Sequence, residues 1–191
     1  MHSKKPLLVM VFVHDDLADY NRNTLYDNHL AWLIPELEEI SGRDVAIIML
    51  EKNRAPELTS FDYRNENEVA ALRTWTDQIS GLLYEASLTK PYDLNINKFL
   101  LLTRYNINNS VRGIATMTGH CGIAAITSYR NAAHEIGHMF GATHEDSEVA
   151  YDGWWNDTIM STDNFSPFRG NVYRFSDKNK DNIRNHLNQF P

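Results

Sequence analysis

The sequence predicts an α/β (α+β) fold: an α/β lobe over about residues 1–141, then a smaller, mostly irregular lobe over 142–191 that ends in a helix. Three observations predict it. Apolar runs of strand length alternate with segments of helical period through the first two thirds of the chain. The last fifty residues shift to Gly, Asn, Asp and aromatics without a clear period. Between the two lies one helical segment rich in histidine, so any chemistry belongs at that junction.

Residues 7–13 form the longest apolar run, seven residues, far short of the about 20 that a membrane span needs, and read as a buried strand. Tyr26, Leu30, Leu33, Leu37 and Ile40 follow at spacings of three and four, as on one helix face. Pro35 lies inside that pattern and kinks or splits the helix, because it lacks a backbone donor; Gly42 ends it. Residues 45–50 read as a second buried strand. Asn65 with Glu68 makes a capping-box pattern ahead of a helix lined by Val69, Leu72, Trp75, Ile79, Leu82 and Leu83. Residues 98–105 carry Phe99-Leu100-Leu101-Leu102, a third buried strand, and 106–110 have turn composition. Residues 112–118 read as a short strand, and 122–127 as another that runs into a helix over 128–140. A final helix near 177–189 has Ile183 and Leu187 on its apolar side.

At 191 residues and 22.0 kDa the chain fits a single domain, and 42% hydrophobic residues suffice for a core. The charge balance, 18 − 25 = −7, repels phosphate backbones, so nucleic acid is not an expected partner, and with no apolar run of spanning length neither is a membrane. One cysteine excludes an intrachain disulfide and any four-cysteine zinc site.

The boundary helix reads His134-Glu135-Ile136-Gly137-His138-Met139-Phe140-Gly141-Ala142-Thr143-His144. Histidines four apart lie on one helix face with Cβ atoms about 5–6 Å apart, suited to two imidazoles on one zinc ion. Glu135 can reach water at such an ion without being used as a ligand. Gly141 tolerates positive φ, so the chain can turn sharply there and return His144 as third ligand. Three protein ligands leave the fourth position open, the catalytic arrangement of Zn2+. In a chain of this length the five fixed positions arise by chance on the order of once in 10⁵.

The stretch resembles the signature of the metzincin zinc endopeptidases, with Met160 in Ile159-Met160-Ser161 at the place of that family's methionine turn. Phe99-Leu100-Leu101-Leu102-Thr103, Arg112-Gly113-Ile114-Ala115, His120-Cys121-Gly122, Ala133-His134-Glu135 and Phe175-Ser176 follow the order seen in adamalysin (reprolysin)-like members. Glu145 follows His144 where adamalysins place Asp, and the family's disulfides are missing. The resemblance implies a twisted mixed sheet above a zinc cleft and a methionine turn beneath the metal. It implies an edge strand around Gly113, Ile114, Ala115 and Thr116 that pairs with an extended protein or peptide substrate. Residues just past Met160 are expected to wall the main specificity pocket. The implied enzyme is a monomeric, secreted zinc metalloendopeptidase with Glu135 as general base. A protease toxin delivered into another cell, or a binding module that keeps the fold without turnover, are the alternatives.

Other signals carry less. Cys121 beside an apolar strand reads as a buried small hydrophobe. Asp177, Asn179 and Asp181 mimic the opening of a calcium loop but lack its later positions, so they read as a solvated helix start. His14, His29, His120 and His186 lack ligand spacing, although His120 precedes the catalytic helix. Trp154 and Trp155 either line the cleft or pack the irregular lobe.

Overall fold

Strands that are apolar on both faces go to the middle of a sheet. In a computed structural model that describes residues 4–87, 92–151, 153–162 and 169–191, β1 (Leu7–Val13) and β3 (Asn97–Thr103) do so. With β2 (Val45–Leu50), β4 (Gly113–Ala115) and β5 (Cys121–Ala125) they build a five-stranded sheet of order β2-β1-β3-β5-β4. β2, β1, β3 and β5 run parallel, and β4 is antiparallel to β5, so the sheet is mixed.

Alternation along the central strands divides the core in two. Val9, Val11, Leu100 and Leu102 face one side, where they meet Leu33, Leu37 and Ile40 of α2 (Leu33–Ser41). Ala133, Ile136 and Met139 of α5 (Asn131–Met139) and Ile183 and Leu187 of α6 (Asp177–Leu187) complete that layer. Met10, Phe12, Phe99 and Leu101 face the other side, against Leu72, Trp75 and Ile79 of α4 (Glu68–Ser87). The sheet is therefore covered on both faces, and α5 lies directly beneath β3, β5 and β4.

The segment around Pro35 is split, as its proline predicts: α1 (Arg22–Tyr26), then a widened π turn over Asp27–Ala31, then α2 with Pro35 in its first turn. Pro35 can offer no donor to Ala31, and the wide turn makes room for its ring. Several other elements differ from the sequence expectation. β2 is an edge strand, not a fully buried one. Ile47 and Met49 point inward while Ala46 and Ile48 are exposed, a distinction that a continuous apolar run cannot reveal. The cap of α4 is Asn67, whose Oδ1 accepts from the Ala70 N–H at 3.1 Å; Asn65 instead orders the turn before it. The strand expected over 112–118 ends at Ala115, because Thr116–Gly119 closes a turn with Thr118 at φ 55°. A short helix, α3 (Pro56–Thr59), precedes α4.

The second lobe is less irregular than its composition suggests. β6 (Val149–Tyr151), β7 (Trp155–Asp157) and β8 (Gly170–Asn171) form a small sheet of their own. α6 then returns to α2, and buried Arg43 donates to main-chain oxygens of Lys5, Leu187, Phe190 and Pro191. Among the described residues no helix is long and apolar enough to cross a membrane.

Candidate metal centre and cleft

α5 carries His134 and His138 one turn apart, both toward the second lobe. The helix stops at Gly141, whose φ of +99° strains any residue with a side chain. The Ala142 N–H returns to the Gly137 carbonyl at 2.8 Å, and two residues later His144 faces the helix it has just left. The three histidines bring one ring nitrogen each within 4.8 Å of one another. His144 Nε2 lies 2.9 Å from Nε2 of both His134 and His138.

The protonation pattern follows from the other ring nitrogens. His134 Nδ1 is 3.0 Å from the Ile159 carbonyl oxygen, and His138 Nδ1 is 2.9 Å from that of Ala142. A carbonyl only accepts, so both Nδ1 atoms carry the ring proton and both Nε2 atoms present lone pairs inward. One proton on His144 Nε2 would satisfy one of the two short contacts; a cation at the centre satisfies all three nitrogens. Two nitrogens on a tetrahedral zinc sit roughly 3.3 Å apart, close to the spacing here. Burial pushes His134 down to about 3, and His138 is lowered by burial and by neighbouring His144. Those two rings are thus held neutral, the form that coordinates. The triad lies close enough to hold a metal ion.

Glu135 is not a member of that group. It is 6% exposed, its carboxylate makes no hydrogen bond among the described residues, and burial pushes it up to about 8. Its position depends on β4. A Cβ at Gly113 would come 2.5 Å from Glu135 Oε1, 2.9 Å from Cγ and 3.0 Å from Cδ. The glycine therefore makes room for the carboxylate, beyond offering backbone at the sheet edge. Gly113, Ile114 and Ala115 are half-buried and lie on the outermost strand, whose far side is unpaired among the described residues. Thr116 is not on the strand; it is exposed and begins the turn. That turn is fixed to α5, since the Thr118 N–H donates to the His138 carbonyl at 2.9 Å. Buried Lys98 holds it from below by donating to the Gly119 carbonyl at 2.9 Å.

Met160 lies beneath the metal helix, fully buried, and a Cβ at Gly137 would meet its sulfur at 2.9 Å. The turn around it is closed by Ser161 N–H to the Thr158 carbonyl at 3.1 Å. Ile159, inside that turn, supplies the carbonyl that orients His134. Ser161 and Thr162 line a cavity of about 300 Å³ together with Arg112, Gly113, Arg130 and Glu135. The expected pocket wall continues into 163–168, outside the described residues. A larger hollow of about 480 Å³ opens at the carboxyl ends of β1 and β2. There Lys52 pairs with Asp15 at 2.6 Å, and no metal triad lines it among the described residues.

Two residues with a part in the site escaped the sequence reading. Asn179, read there as solvated, is fully buried on α6. Its Oδ1 accepts from the Thr143 N–H at 2.7 Å and its Nδ2 donates to the Thr143 carbonyl at 3.0 Å, which clamps the backbone next to His144. Its spacing of four from Ile183 places it on the apolar face, the signal that could have found it. Arg130, nine-tenths buried, donates from Nη1 to the Thr158 carbonyl at 3.2 Å and reaches the cavity. His14, His29, His120 and His186 stand apart from the triad. Cys121 is buried, its thiol pushed up to about 12 by burial, as suits a small core residue. Trp154 and Trp155 are exposed beside the turn between β6 and β7 and do not line the cavity.

Neither a scan of protein-family models nor a search of curated proteins finds a match to this chain.

Proposed function

We propose that the protein is a zinc-dependent endopeptidase of metzincin type that hydrolyses peptide bonds in an extended protein substrate. The observation that carries this reading is the pairing of roles on one helix. Two imidazoles with fixed tautomers and a third from the returning chain aim lone pairs at one point, while the intervening carboxylate stays outside the ligand set. A zinc ion held by His134, His138 and His144 supplies Lewis-acid polarisation of a carbonyl and acidifies water.

The rest of the chemistry belongs to the chain. Glu135 takes a proton from attacking water and hands it to the departing amine. Its carboxyl, raised by burial alone, ionises more readily beside a bound cation. β4 offers main-chain donors and acceptors that are unpaired among the described residues, so a substrate strand pairs there and lies across Glu135. Ile159 and Ala142 keep the ligand rings oriented through their carbonyls.

The test is a pair of variants. Glu135→Ala retains zinc and loses peptide cleavage, and His138→Ala loses zinc, as read by metal analysis and by mass spectrometry of a digested peptide pool with and without chelator. Normal cleavage by Glu135→Ala would refute the mechanism.

A further inference from the structure

Two arginines face the cavity that Glu135 also lines. Arg130 lies deep in it, nine-tenths buried, its Nη1 fixed on the Thr158 carbonyl, and exposed Arg112 stands at the rim. Among the described residues no carboxylate comes within ion-pair distance of Arg130. Buried Asp157, the one carboxylate among the described groups that acts on it electrostatically, is itself paired with Arg169 at 3.3 Å. Among the described residues this buried guanidinium, with one donor on a carbonyl and more to offer, has no anionic partner and is suited to take one. The uncharged lining, Gly113, Ile159, Ser161 and Thr162, leaves about 300 Å³ for it.

Strand direction says which substrate residue enters. β4 runs from Gly113 to Ala115, and a substrate strand antiparallel to it runs from the Ala115 end toward Gly113 and then past Arg112. Glu135 lies against Gly113, so the scissile bond falls there and the cavity receives the side chain that follows. We infer that this cavity selects Glu or Asp on the C-terminal side of the cleaved bond, with Arg130 as the residue that reads the carboxylate. The inference rests on the endopeptidase reading and adds the substrate class.

Two readouts separate the two claims. Zinc-loaded protein is given a peptide library and then matched substrates that differ only by Glu or Gln after the bond. Acidic residues are enriched at that position, and kcat/KM favours Glu by about tenfold or more, as suits a charge-assisted hydrogen bond. The ratio falls toward one in Arg130→Gln and survives in Arg130→Lys. Independently, the side-chain Nε–Hε resonance of Arg130 is followed by NMR on adding Glu-Ala-Ala amide or Gln-Ala-Ala amide, the fragments such cleavage would leave. It shifts saturably with the first and not with the second. Zinc-dependent cleavage with no acidic preference, a ratio unchanged in Arg130→Gln, or the same NMR response to both tripeptides overturns the inference and leaves the hydrolase reading standing. A Glu-selective shift without any cleavage sinks the hydrolase reading and leaves the acid-selective pocket.

Discussion

Replacing Asn179 by alanine removes both hydrogen bonds that hold the Thr143 N–H and carbonyl beside His144. Each leaves a backbone group partly or wholly unpaired, at about 1–3 kcal/mol apiece. Thr143 is only half-buried and water reaches part of it, so the sum is about 2–4 kcal/mol. Against a typical total of about 5–15 kcal/mol that is a large fraction, and urea unfolding of the metal-free protein reads it directly as a lower midpoint. The loop that presents His144 then has to be ordered by the ion itself, so zinc affinity falls about 10–100-fold in chelator competition. Asn179→Asp keeps the acceptor for the Thr143 N–H and loses the donor to its carbonyl, and falls between the two. If Asn179→Ala unfolds at the wild-type urea midpoint and holds zinc as tightly, the clamp has no energetic role and the argument fails.

Two further perturbations test other parts of the site. Gly113→Ala places a methyl where the Glu135 carboxylate now lies and displaces it; zinc content stays normal while kcat falls about a hundredfold, and full activity at full occupancy would contradict the placement. Lys98, buried with its pKa lowered to about 8 from 10.5, is charged in both native and unfolded protein below pH 8. Between about pH 8 and 10.5 the native state gives up the proton first, so stability rises with pH by about 3 kcal/mol at most. Lys98→Met removes that rise relative to wild type in paired urea titrations at pH 7 and 10, with Cys121, which is coupled to Lys98, replaced by Ala in both proteins; Tyr63, whose raised value acts oppositely, is common to both.

What could be read from the sequence follows the range of the forces involved. β1, β3 and the face of α4 are set by local apolar pattern, and the pattern sufficed for them. The triad was legible because His134 and His138 share a helix turn and Gly141 announces the bend. β2 was read as buried because an unbroken apolar run does not say how many neighbours its strand will have. Asn67 displaced Asn65 as helix cap because both carry the same chemistry two residues apart. The small sheet of β6, β7 and β8 holds only two or three residues per strand, too few for a period to emerge. Arg130 and Asn179 owe their importance to partners 28 and 36 residues away, and no local pattern records those distances.

The central place of β1 also bears on how the chain is made. Leu8 pairs with Asn97 on one side, so the ribosome adds 97 − 8 = 89 residues before that neighbour exists. At about 5–20 residues per second the wait is on the order of 4–18 s. During it a seven-residue hydrophobic segment of strong β propensity is shielded on one flank at most, by β2. Nascent chains of this protein are thus most prone to sticking together before residue 103 has emerged, and chaperone dependence is set by the first strand and not by α5.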